Sequence, residues 1–247
     1  MNLAGLDPVI LLPAFAAGLL VLASHVPLGQ AVLARGIVFL DLAIAQIAGL
    51  GVVLVHSLGG EALPWLTQAG AVGAALAGAL FLHFMEGRAG PRQEAVIGVT
   101  FASAACATLL LMSHDPHGAE HLQDLLVGQI LWTTWSGLIP LALVTALGLI
   151  AWFRFRLRAS PLGFYLLFAV TITASVQVVG IYLVFASLIV PALASAGALS
   201  RGYAVGGVGY ALGLLASGLW DLPSGAAIVL ALVLVAGTTA LWPRPRG

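Results

Sequence analysis

The chain has 247 residues, 61% of them hydrophobic and 7% charged, with nine acidic residues against nine basic ones and a formal net charge of zero. Soluble domains carry roughly 25% charged residues, so this set is too sparse for a water-facing surface and lipid must cover much of it. The neutral balance excludes a general attraction to nucleic acid. All nine basic residues are arginine; without a lysine the chain cannot form a phosphate-binding loop of the G-x-x-x-x-G-K-[ST] type, so ATP that drives its work is hydrolysed by another subunit.

A membrane helix needs roughly 20 predominantly apolar residues. Nine runs approach this, at about 9–26, 37–58, 65–85, 95–112, 134–153, 162–179, 181–199, 205–220 and 224–241. The first basic residue is Arg35, so the positive region of a cleavable signal is missing and the first run is expected to be a retained span. The sixth and seventh runs are separated by little more than Val179-Gly180. The fold class expected is all-α: a polytopic helical bundle in the membrane, one transmembrane domain over 1–247.

Orientation follows from the arginines. With the N-terminus outside, the gaps facing the cytoplasm hold Arg35, then Arg88 and Arg92, then Arg154, Arg156 and Arg158, then Arg201, and the tail adds Arg244 and Arg246. The outer gaps hold Glu61, the stretch 114–124 and Asp221, with no arginine. Eight or ten spans would break this partition in the second half. Trp65, Trp132, Trp135, Trp152, Trp220 and Trp242 fall near span ends, where interfacial anchors belong. Gly70, Gly73 and Gly78 in the third run, and Gly206, Gly209 and Gly213 in the eighth, are expected to permit close helix contact. Cys106, the single cysteine, excludes an intrachain disulfide and reads as a small packing residue.

Polar residues inside the spans are few. Asp41 stands just inside the second run; an intramembrane carboxylate is expensive and points to function, or else it snorkels toward Arg35 or the interface. Gln46 is deeper and about 140° around the helix from Asp41; it faces a pathway or bonds to a neighbouring helix. In the sixth run Thr173 and Gln177 share a face with Gly180, either as interhelical hydrogen bonders or as a pathway lining. His25 and His83 read as interfacial, and His56 lies toward the outer end of the second run.

The richest cluster is H-D-P-H-G-A-E-H-L-Q-D at 114–124. Imidazole and carboxylate suit zinc, manganese or iron. A short interfacial helix from Ala119 would put His117 or Glu120 on one face with His121 and Asp124. The cluster is a hydrophilic outer loop or a transient metal-capture site through His114, His117, Glu120, His121 and Asp124; its spacing matches no closed structural zinc site.

Three stretches resemble the membrane permeases of metal-ion ABC importers. These are R-G-I-V-F-L-D-L-A-I-A-Q at 35–46, H-L-Q-D-L-L-V-G-Q-I-L at 121–131 and V-V-G-I-Y-L-V-F-A-S-L-I-V-P-A at 178–192. The last is similar to a family signature V-G-x-L-L-V-x-A-L-L-I-x-P-A. The resemblance implies a permease homodimer in the inner membrane of a bacterium, a cytoplasmic ATP-binding subunit and an external metal-binding protein. It implies a transported divalent ion, zinc first and manganese or iron next, with no tightly bound cofactor. It also implies that the stretch after Pro191, through Ala192, Ser195, Ser200 and Arg201, docks on the ATPase. The chain departs from the family at Gln46, where a histidine is usual, and at Leu42, where an aspartate is usual; His121 aligns with a frequent carboxylate. Such a permease breaks no covalent bond and works by alternating access. A stand-alone secondary carrier or channel, or an accessory subunit of a membrane complex, are the other classes considered.

Overall fold

The computed structural model describes residues 6–59, 63–113, 123, 125–155 and 160–241, and within them every regular element is helical. Nine α-helices follow in chain order: α1 Pro8–Arg35, α2 Leu40–Ser57, α3 Pro64–Ala89, α4 Gln93–Met112, α5 Leu138–Arg154, α6 Pro161–Val179, α7 Ile181–Ser195, α8 Leu199–Trp220 and α9 Ser224–Leu241. Each answers to one of the nine apolar runs. Among the described residues, five stretches suffice by length and composition to cross a membrane, one of them Trp65–Met112 across α3 and α4; α5, α7 and α9 are shorter apolar helices. The chain is an all-α, multi-pass membrane bundle.

The boundaries move for identifiable reasons. α1 runs past the expected end, through Pro27, to Arg35. A proline lacks the N–H that would bond the carbonyl four residues back. Here that carbonyl, Ala23 O, accepts instead from the Tyr203 hydroxyl of α8 at 3.1 Å, so the helix continues. It stops at Gly36, which is left-handed (φ 68). There the Gly36 and Ile37 N–H groups donate to Leu33 O and Val32 O, the paired bonds that end many helices. α7 stops at Ser195, short of the expected 199, because Ala196 and Gly197 turn left-handed (φ 47 and 91). Between α6 and α7 the chain reverses on a single residue, Gly180, at φ 81 and ψ 164.

α1 lies against α5, α6, α7 and α8; α2 is enclosed by α3, α4 and α6; α9 packs on α7 and α8. The largest fully buried side chains include Phe164, Tyr165 and Phe168 of α6 and Tyr210 of α8. Without a hydrophobic drive between helices in lipid, close packing and hydrogen bonds hold them. Gly70 meets the backbone of Gly51 and the side chain of Val55, Gly78 meets Ile47, Gly206 meets Leu22, Gly209 meets Leu232 and Gly213 meets the backbone of Ile228. Gly73 is the exception and faces open space. Ser187 Oγ and Tyr210 OH, 2.8 Å apart, join α7 to α8.

Contacts at the start of α6 and between the end of α1 and the start of α8 bring Arg35 and the segments beside Arg92, Arg154 and Arg201 to one end. Arg35 stacks 4.0 Å over the Phe164 ring at the start of α6, and Trp152 of α5 lies against that ring as well. Gln93, beside Arg92, donates to Tyr165 OH at 2.6 Å. Arg201 donates to Thr239 O at the end of α9 at 2.8 Å. Arg156, Arg158, Arg244 and Arg246 lie outside the described residues, as do Glu61 and Trp242.

Three expectations change. Trp65, Trp132, Trp135 and Trp220 are exposed near helix ends, but Trp152 is 6% exposed and belongs to the aromatic core. His25 is not interfacial; it is 0% exposed inside the bundle. Cys106 is exposed on the outer face of α4 rather than packed.

Gly180 has a conformation that is essentially glycine-only, and an added Cβ would stand 2.4 Å from Gly128 N. Gly180→Ala is expected to cost about 2 kcal/mol or more in detergent thermal unfolding, whereas Gly73→Ala stays within about 0.5 kcal/mol of the parent. Equal melting temperatures for the two variants would contradict this packing.

Candidate functional site

The start of α2 is built by its neighbours. Phe39 N–H donates to Glu94 Oε1 of α4 at 3.0 Å, so an orphan donor of the helix end is satisfied from another helix. Asp41 is therefore not needed as a cap. It is 0% exposed, and neither carboxyl oxygen has a hydrogen-bond partner among the described residues. Snorkelling to the interface is ruled out by that burial. A carboxyl group buried in this way is costly.

Gln46, 6% exposed, is also buried although it points about 140° away from Asp41. Both are enclosed because α2 has packed neighbours on several sides. Thr173 of α6 is buried, and its Oγ1 is without a partner among the described residues. α6, which carries Thr173, lies directly against α2, which carries Asp41 and Gln46. Gln177 is instead exposed and accepts a short hydrogen bond from Gln68 Nε2 of α3. That is the interhelical role, at the end away from the arginines.

The metal candidates His114, His117, Glu120, His121 and Asp124 lie outside the described residues. Among the described residues, no group of three or more His, Cys, Asp or Glu side chains could hold a metal ion. His83 lies 3.5 Å from Glu86, both about one-third exposed, as an interfacial pair. His25 Nδ1 is 3.1 Å from Ser24 Oγ, and its Nε2 has no partner among the described residues.

The turn after α7 sorts the four residues named for subunit docking. Ala192 and Ser195 are buried and face inward. Ser200 is exposed and Arg201 half-buried. The outward face of the turn is instead Leu193 and Ala196, Gly197 and Ala198, all exposed. Between α7 and α9 runs an apolar groove of about 490 Å³, lined by Tyr182, Phe185, Val190, Val229, Leu230 and Val233 among others.

Sequence reasoning missed the residues that lock the arginine end. Phe164 and Tyr165, Gln93 and Glu94 carry α6, α4, α1 and α2 together through the contacts given above. The signal was present as an aromatic pair just after a helix-starting proline, and as two polar residues opening the fourth apolar run. What was lacking was any sign that they meet. The stretches 121–131 and 178–192 do meet: Gly128 (φ 70) stands against the backbone of Val179 and Gly180.

The sequence profile of the ABC 3 transport family matches residues 8–160 and 155–241. Among solved structures, the chain is similar to PsaBC from Streptococcus pneumoniae, determined in complex with Fab. The TM-score is 0.74 and the identity 22%, over 97% of this chain and 95% of that one. It is also similar to an inward-facing conformation of a protein described as a metal-chelate type ABC transporter, with a TM-score of 0.67 and 15% identity, over 93% of this chain and 85% of that one. No curated protein sequence matches.

Because the Asp41 carboxyl has no partner, Asp41→Asn is expected to leave stability in detergent unchanged or raise it by up to about 2 kcal/mol. A fall of more than about 1 kcal/mol in thermal unfolding would mean that the carboxyl makes a stabilising bond.

Proposed function

Because the chain belongs to the ABC 3 transport family, we propose that it is the membrane permease of an ATP-driven importer of divalent transition-metal ions. Zinc is the first candidate, with manganese and iron as alternatives. The observation that carries this reading is the family match along nearly the whole chain, together with a fold like that of two ABC transporter structures. The chain has no lysine and so no phosphate-binding loop of its own; a separate cytoplasmic ATP-binding subunit supplies the hydrolysis.

The gathering of arginines at one end of the bundle supports the orientation, since positively charged connections stay inside. That end faces the cytoplasm of a bacterium across its inner membrane, with the N-terminus outside and the C-terminus inside. The ATPase then meets the exposed face of the turn after α7, with Ser200 and Arg201 at its edge and Ala192 and Ser195 supporting it from within. At the outer end an external binding protein delivers the ion. His114, His117, Glu120, His121 and Asp124 capture it transiently, with imidazole and carboxylate ligands of the kind these ions accept. The ion crosses beside Asp41, Gln46 and Thr173, where the unpartnered carboxyl oxygens offer ligands that a passing cation can take up, and Gln177 borders the outer end of the path. Two copies of the chain form the permease, joined along the groove between α7 and α9, whose apolar walls and small residues Ala186, Gly225 and Ala226 suit close helix contact. ATP binding switches the pair between inward-open and outward-open arrangements.

One observation favours a second reading. A buried, unpartnered acid near the path is also what a stand-alone secondary carrier uses to couple ion movements. The two readings part on composition and on energy source.

Gentle purification from the native membrane is expected to yield two permease chains with a stoichiometric P-loop ATPase, read by native mass spectrometry. Reproducible absence of an ATPase from folded material would transfer the function to a stand-alone carrier. Uptake of zinc, manganese and iron by reconstituted complex identifies the ion. Changing His114, His117 and His121 together to alanine is expected to cut uptake at limiting metal about tenfold or more, following the affinity lost with the ligands, with assembly intact. Unchanged uptake at limiting metal would remove the capture role.

A further inference from the structure

The turn that follows α7 is held from behind by α1. Gly29 brings the two backbones together: an added Cβ would stand 2.1 Å from Leu188 O and 2.9 Å from the Ala192 methyl. One residue on, half-buried Gln30 donates from Nε2 to Ser195 Oγ at 2.8 Å. Ser195 is 1% exposed and is the last residue of α7. Its hydroxyl hydrogen is committed elsewhere, to Ala192 O at 2.6 Å, and its oxygen also receives Gly197 N–H at 3.4 Å. The oxygen therefore needs a donor at position 30, which an amide supplies and a carboxylate does not. On the far side of the turn, Gly202 packs against Val26 of α1 and against Pro191 O. Ser195, Ala196 and Gly197 thus form a left-handed turn whose outer face is open and whose inner face is bonded to α1.

We infer that Gln30 is a positioning residue that carries movement of the α7–α8 turn into α1. This rests on the reading of the turn as the ATPase-facing element. A subunit pushing on the outer face moves Ser195, and Gln30 makes α1 follow rather than slide past at the Gly29 contact. α1 in turn lies against α5, α6, α7 and α8, so a displacement that begins at one turn reaches most of the bundle. Without the Gln30 bond, ATP hydrolysis proceeds while α1 lags, and cycles are spent without transport.

The test is the ratio of ATP hydrolysed to zinc(II) transported by the permease–ATPase complex in liposomes, with manganese(II) as the probe if the uptake assay selects that ion. Gln30→Ala and Gln30→Glu are expected to raise the ratio about fivefold, the factor that follows from losing one ordinary buried hydrogen bond. Gln30→Ala combined with Ser195→Ala is expected to do no more than either alone, as a shared interaction requires. Ser187→Ala is the control: it deletes the bond between Ser187 and Tyr210 of α8, farther back along α7. It is expected to lower the melting temperature while keeping the parent ratio. A parent ratio in Gln30→Ala, or the same rise in Ser187→Ala, would overturn the inference and leave the permease reading standing. Failure of the unsubstituted chain to bind an ATPase would instead overturn the permease reading itself.

Discussion

The contact between α1 and α7 at Gly29 is the constraint on which much of this bundle depends. Lipid is as apolar as leucine, so two apolar helices gain little by leaving it for one another; they stay together where their backbones come close enough for dispersion and hydrogen bonds to add up. At Gly29 the approach leaves no room for a methyl group. It fixes the height of α7 against α1, which brings Ser195 to Gln30 and Gly202 to Val26. α8 then starts where Tyr203 can reach the carbonyl that Pro27 releases. The proline, which would weaken a helix in isolation, becomes a point of attachment because a hydroxyl from the next helix completes the backbone bond.

The buried polar groups divide into two kinds. Tyr210 with Ser187, Tyr165 with Gln93, Tyr203 with Ala23 O and Gln30 with Ser195 are paired between helices. They hold elements in register. Asp41, Thr173 and one nitrogen of His25 have no such partners among the described residues. A polar group buried without a hydrogen bond costs free energy that folding alone gives no reason to accept. The first kind accounts for the architecture, whereas the second contributes nothing to it. Asp41 stands apart within that second kind because both of its carboxyl oxygens lack a partner among the described residues.

The resemblance motifs were legible as three separate stretches, but their arrangement was not. Residues 121–131 and 178–192 turn out to cross at Gly128 and Gly180, two positive-φ glycines in backbone contact. Glu94, which no motif singled out, caps α2 and thereby leaves Asp41 without that duty. Of the four residues expected to dock a partner, Ser200 is exposed, but Ser195 is buried against α1. Gln177 lies in a bond with Gln68 of α3 rather than in the buried interior. Each of these is a relation between residues distant in the chain, and the local pattern contains no record of it.

By itself the sequence determined the class and the nine long helices among the described residues, because hydrocarbon admits only long apolar helices in an all-α chain and charged arginines stay in the gaps. Only the tertiary structure decided which side of each helix is inside. In a water-soluble bundle the polar face of a helix reveals its orientation. Here lipid and core are equally apolar, and the signal vanishes: Cys106 faces outward, Trp152 and His25 inward, and Gly73 touches nothing although Gly70 and Gly78 are both in tight contact.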